Sequence, residues 1–176
     1  MSSHATEPMS MPTSISVANP SDGSVVAKGR KRCLVIGYGN DLLGDDGVGC
    51  YIAQRLESLQ HPDIDTIEAV QLLPEMVETI SRYRQIFFVD AAIDTGDHVS
   101  MTMVDGKTEN SMHHAVSPEW LLSIVSAIYS CSPEALLLRV PANQFALGEP
   151  LSRETAAAAE EAIVSILRCV EDKQNA

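Results

Sequence analysis

Three places in the sequence hold side chains that could do chemistry together. The first is the run Gly37-Tyr38-Gly39-Asn40-Asp41-Leu42-Leu43-Gly44-Asp45-Asp46-Gly47-Val48-Gly49, where two adjacent carboxylates sit among five glycines. The second is Asp90, at the end of the apolar run Ile86-Phe87-Phe88-Val89. The third is the pair His113-His114, a few residues before Ser117-Pro118. Carboxylate oxygen and imidazole nitrogen together suit a divalent ion such as nickel or zinc. Adjacent histidines usually point in different directions, so one of the pair is expected at a shared site. Each group also has a structural alternative. An acid at a helix N-terminus is favoured by the macrodipole, so Asp45 or Asp46 could cap the following helix. Asp90 could simply hydrogen-bond a neighbouring loop, and the histidines could be solvated. Asp94 and Asp97 fall in a glycine-containing turn and read as ordinary turn residues.

Several other chemistries are excluded. Gly37-x-Gly39 opens like a dinucleotide fingerprint, but the third glycine, needed for close helix–strand packing, would fall at Leu42. There is no Lys-Ser/Thr pair for a phosphate-binding loop, and Asp45 and Asp46 would repel a pyrophosphate. Neither the H-E-x-x-H helix of zinc peptidases nor the G-x-S-x-G elbow of serine hydrolases is present. A formal net charge of −12 argues against a nucleic-acid partner, which draws its affinity from Lys and Arg. Cys33, Cys50, Cys131 and Cys169 form no C-x-x-C pair and read as small buried hydrophobes.

Strands and helices must bring these groups together. Cys33-Leu34-Val35-Ile36 is a continuous apolar run, as a buried parallel strand would be. The spacing of Val48, Ile52, Leu56 and Leu59 predicts a helix over about 47–59 with one face on a sheet. Residues 66–70 read as a second strand. Pro74 opens a helix through Tyr83 that carries Met76, Val77 and Ile80. Ile86–Val89 is a third strand, stopping at Asp90, and the alternation over 99–104 suits an exposed edge strand. Ser117 as cap and Pro118 at the first position start a helix with Leu121, Leu122, Val125, Ile128 and Tyr129 along one face. A strand over 135–140 ends at Pro141. Ser152 then caps a long helix with the stripe Ala159, Ile163, Ile166, Leu167 and Val170. Strands alternating with helices imply an α/β fold with a mostly parallel sheet of roughly five strands, covered on both faces. Ligands of such sheets bind beyond the carboxyl ends of the strands, where the Asp45–Asp46 loop and Asp90 both fall.

Residues 1–31 are rich in Ser, Pro, Met and Gly and are expected to be a disordered extension, because they cannot bury enough surface to offset the entropy of ordering. The folded domain is expected over 32–171, with a short tail at 172–176. No apolar run approaches the ~20 residues of a membrane span, and no secretory signal is evident. The expectation is a reduced, cytoplasmic, monomeric protein.

The residues also carry a family resemblance. Ile36-Gly37-Tyr38-Gly39-Asn40 with Asp45-Asp46-Gly47-Val48-Gly49 resembles the first signature of the hydrogenase maturation endopeptidases. Phe88-Val89-Asp90-Ala91 is similar to the second, and His113-His114-x-x-Ser117-Pro118-x-x-Leu121-Leu122 to the third. Gln71-Leu72-Leu73-Pro74-Glu75 looks like the variant for bidirectional, NAD-linked hydrogenases. The resemblance covers roughly residues 32–170. It implies a three-layer α/β/α sandwich and removal of a C-terminal extension from a nickel-containing hydrogenase large subunit after metal insertion. The implied metal-contacting positions are Asp46, Asp90 and His114, in register with Leu121-Leu122; His113 and Asp45 are the fallbacks. Asp46 and Asp90 are the implied catalytic pair. Nickel would arrive in the precursor rather than reside in the protease, and would polarise the scissile carbonyl or activate a water, or else only position the peptide for an aspartate base. A non-catalytic chaperone for the large subunit, or a small-molecule hydrolase with its own metal, would use the same cleft.

Overall fold

The computed structural model describes residues 31–106 and 116–172. Strand β1 (Lys31–Tyr38) leads through a loop and a 3-10 turn (Gly44–Gly47) into helix α1 (Val48–Ser58). There follow β2 (Ile64–Ala69), α2 (Met76–Ile80), β3 (Tyr83–Ala92), β4 (Ser100–Met103), α3 (Pro118–Tyr129), β5 (Glu134–Pro141) and α4 (Arg153–Asp172). The strands form one sheet in the order β2-β1-β3-β5-β4. All neighbours are parallel except β4, which runs antiparallel to β5 at the edge.

Both faces of the sheet are apolar because successive strand side chains alternate between them. Cys33 and Val35 of β1, Phe87 and Val89 of β3, and Leu138 and Val140 of β5 pack with Ile52 and Leu56 of α1 and Ala159, Ile163 and Ile166 of α4. On the opposite face, Leu34, Ile36, Ile86 and Phe88 meet Val77 and Ile80 of α2 and Leu121 and Val125 of α3. The result is the three-layer α/β/α arrangement. Cys33, Cys50 and Cys131 are buried. Among the described residues no helix is long and apolar enough to cross a membrane. Residues 1–30 and 173–176 of the expected extension and tail lie outside the described residues.

Several element expectations need correction, among them Leu59, which caps α1 and is exposed rather than facing the sheet. The helix expected over 74–83 spans only Met76–Ile80, since Tyr83 opens β3. Pairing with β1 begins there, at Lys31 opposite Tyr83. The Tyr83 ring is buried, and its hydroxyl donates to Asp65 at 2.7 Å, contacts that a continuing helix would forfeit. Asp90 does not end β3, because Ala91 and Ala92 continue the pairing against Val140 and Pro141. Ile128 (66% exposed) and Tyr129 do not belong to the inner face of α3. That helix buries Leu121, Leu122 and Val125 and then leaves its last turn uncovered. Val70 lies just past β2, exposed. The predicted cap does hold: Ser117 accepts from the Trp120 backbone N–H at 3.2 Å.

Candidate active site

From β1 the chain turns to β2 on one side of the sheet and later to β3 on the other. The carboxyl ends of β1 and β3 therefore flank a topological switch point, where α/β sheets open a crevice. A cleft of about 620 Å³ occupies that position. Tyr38, Gly39 and Asp46 line it from the β1–α1 connection, and Val70–Pro74 from the β2–α2 loop. Asp90 and the residues Val116, Ser117 and Pro118, which lead into α3, complete it. Asp46 and Asp90, 44 positions apart in the numbering, thus converge on one cavity.

The glycines place Asp46. Gly39 has φ +135°, and a Cβ there would lie 2.0 Å from the Asp46 carbonyl oxygen, so only glycine allows the loop to double back on itself. Gly49, in the first turn of α1, sits where a Cβ would lie 2.5 Å from the carbonyl oxygens of both Tyr38 and Val89. The helix start is thereby pressed onto β1 and β3. The Asn40 backbone N–H donates to one carboxylate oxygen of Asp46 at 2.7 Å, fixing the side chain at the cleft wall.

Neither aspartate caps α1, whose N-cap is Gly47 without a side-chain bond. Asp45 instead turns away from the cleft and is fully buried. Its carboxylate accepts from the backbone N–H groups of Asn143 (3.0 Å), Gln144 (2.9 Å) and Ser152 (2.6 Å), and from the Ser152 hydroxyl (3.0 Å). Burial alone would raise its pKa, but these backbone donors outweigh it and hold the carboxyl below the usual carboxylate value. Asp45 is thus the anchor of the β5–α4 loop. Ser152, as expected, caps α4 by accepting from the Thr155 N–H at 3.2 Å.

Strand register explains the surroundings of Asp90. Gly37 pairs with Val89, which brings Tyr38 beside Asp90, and Asp90 itself pairs with Arg139 of β5. The three side chains form a row across adjacent strands on the α2/α3 face. Burial pushes the Asp90 carboxyl above its ordinary value; the Tyr38 hydrogen bond, the Ala91 N–H and the Arg139 charge oppose this, while Asp46 adds to it. The Tyr38 hydroxyl is itself pushed well up, first by burial and then by the Asp90 charge. Arg139 also pairs with Asp94, in the turn after β3. Sequence reasoning singled out neither Tyr38 nor Arg139. The available signal was Arg139, a charge inside an otherwise apolar strand run.

His113 and His114 lie outside the described residues. The described chain resumes at Val116, on the cleft wall. Among the described residues no group of three His, Cys, Asp or Glu side chains is placed to hold a metal.

A scan against protein-family models gives no match. A provisional hydrogenase maturation protease of Methanocaldococcus jannaschii is 44% identical over 41 residues, which is 23% of this chain and 27% of the relative's length. Among solved structures, the nickel–iron hydrogenase maturation protease HycI of Thermococcus kodakarensis matches with TM-score 0.63 at 25% identity, covering 83% of this chain and 96% of its own. A hydrogenase 2 maturation peptidase from a Thaumarchaeota archaeon matches with TM-score 0.60 at 25% identity, covering 80% and 98%. The Escherichia coli endopeptidase HybD, at 18% identity, shares the fold with TM-score 0.63 over 81% of this chain and 93% of its own. Three sequence signatures and a fold shared over four-fifths of the chain thus point the same way, and the structural neighbours of this protein are the nickel–iron hydrogenase maturation proteases.

Proposed function

We propose that this protein is an endopeptidase that removes the C-terminal extension of a nickel-containing hydrogenase large subunit after the metal has been inserted. The observation that carries this reading is the convergence of Asp46 and Asp90 on one cleft at the switch point of a fold shared with hydrogenase maturation proteases. Hard carboxylate oxygens at the mouth of a cleft in a chain of net charge −12 suit a cationic centre brought by the substrate. His114 supplies the third contact in this reading. Its segment leads directly into Val116, Ser117 and Pro118 on the cleft wall.

In this mechanism nickel is part of the substrate. Asp46, fixed by the Asn40 N–H, and Asp90, flanked by Tyr38 and Arg139, engage the metal and so bring the scissile peptide into the cleft. Burial disfavours the Asp90 carboxylate, and an arriving dication would favour it. Recognition therefore doubles as a check that nickel is in place. Held by these carboxylates, nickel would supply Lewis-acid activation of the scissile carbonyl or of a water, or would position the peptide while one aspartate serves as general base. The form of the Gln71–Glu75 segment further associates the chain with NAD-linked hydrogenases as its targets.

The test is intact mass of a nickel-loaded, C-terminally extended large subunit before and after incubation. Loss of a C-terminal fragment is expected with the wild type and none with Asp90→Asn, which keeps the shape of the side chain but not its charge. A correctly folded Asp90→Asn protein that still processes the precursor overturns the assignment of Asp90.

A further inference from the structure

The carboxyl end of the sheet carries large apolar side chains that the chemistry of the cleft does not use. Leu42, in the β1–α1 loop, is 60% exposed; Leu147 and Phe145, in the β5–α4 loop, are 77% and 43% exposed. The two loops are stitched together. The Gly148 N–H donates to the Leu42 carbonyl at 2.8 Å, and the Asp45 N–H donates to the Gln144 carbonyl at 2.8 Å. Around these bonds lies the Asp45 carboxylate with its donors from Asn143, Gln144 and Ser152. An apolar side chain on a slack loop can fold back onto its own surface. Here the backbone is pinned from both sides, and three large apolar groups are held out in water. Large apolar side chains held in water on two loops bonded to each other mark an interaction site.

Its position narrows the partner. The patch is continuous with the β1–α1 connection that presents Asp46, so whatever covers it lies next to the cleft. The cleft itself is acidic, with Asp46 and Asp90 on its walls. The complementary surface has a cationic centre bordered by apolar side chains, a large binding element on a protein body rather than a free peptide tail. We infer that Leu42, Phe145 and Leu147 form the docking face for the folded body of the protein substrate, seating it beside the cleft while the cut segment enters. This rests on the proposed endopeptidase function. It adds that the precursor is recognised through its globular surface as well as at its metal.

The probe is the nickel-loaded, C-terminally extended large subunit from the same organism. Its cleavage kinetics, and the dissociation constant of the same precursor made without nickel and so not cut, are measured with Asp46 and Asp90 intact, with and without Leu42→Ser, Phe145→Ser and Leu147→Ser combined. The single Leu147→Ser change, at the most exposed position, is run beside the triple variant, and thermal unfolding checks that each folds. The expected result is at least about tenfold weaker binding for the triple variant and a smaller loss for Leu147→Ser. In the otherwise wild-type background the triple variant should raise KM with kcat little changed. Equal binding by folded variants overturns the inference. So does sedimentation that finds a wild-type dimer converted to a monomer by the triple variant, since the face would then belong to a second copy. Binding that depends on the patch, with no cleavage by the wild type, would instead remove the protease reading and leave the docking face standing.

Discussion

Asp45 and Asp46 are adjacent, of one residue type, and do different work. The 3-10 turn points one carboxylate into the β5–α4 loop and the other into the cleft. Asp45 acts as a buried acceptor for several backbone donors, and its removal leaves those N–H groups unpaired. Asp45→Ala is therefore expected to cost about 3 kcal/mol at neutral pH in urea unfolding. The sign of its pH dependence follows from the lowered native pKa. An aspartate held below its unfolded value, ~3.9, stabilises the fold above that value and loses the contribution as pH falls through the native value. The stability gap between wild type and Asp45→Asn should thus be widest near neutrality and narrow below about pH 4. A gap that stays constant down to pH 2 would contradict the anchoring role.

At the scale of elements, α3 shows how a single amphipathic pattern is divided by its surroundings. Leu121 and Ile128 both fall on the apolar stripe that the sequence presents, yet Leu121 is fully buried and Ile128 is 66% exposed. Only the first two turns have a partner layer, formed with α2 and the sheet. Leu121→Ala should destabilise the protein by about 2–5 kcal/mol through the cavity it leaves. Ile128→Ser should change stability by no more than about 0.5 kcal/mol. Parallel urea titrations compare the two, and a similar loss at both positions would mean that the last turn is covered in solution. The sheet applies the same logic to chemistry. Register between β1, β3 and β5 sets Tyr38, Asp90 and Arg139 in one row, which no pattern within a single strand could reveal.

For the whole molecule, the proposed division of labour places nickel in the substrate. Processing should stop when the precursor is made without nickel, while the protease alone should retain little of the metal after desalting, by elemental analysis. The histidine pair can be separated in the same assay. His114→Ala is expected to abolish fragment loss and His113→Ala to leave it largely intact, because in the proposed site the family resemblance, read in register with Leu121-Leu122, gives the contact to His114. The reverse result would move the contact to His113 and keep the remainder of the site.

Most of the fold was legible in the sequence because the strands are short apolar runs, the helices carry spaced apolar stripes, and Ser117-Pro118 and Ser152 mark helix starts by local chemistry. Those signals are carried by neighbouring residues and survive without any tertiary context. The loop glycines and the two candidate aspartates were also visible, since carboxylates that interrupt or closely follow a buried apolar run stand out wherever the chain goes next. The boundaries of α2 and β3 were not legible, because strand pairing with β1 and burial of Tyr83 outweigh what residues 74–83 would do alone. Nor were the opposed directions of Asp45 and Asp46, the row through Asp90, or the pinned apolar face at Leu42, Phe145 and Leu147. Each depends on segments far apart in sequence meeting at the carboxyl end of the sheet. Helical and strand periodicity are properties of the local chain, but which carboxylate faces a cleft and which is buried under a loop is decided only when the distant donors arrive.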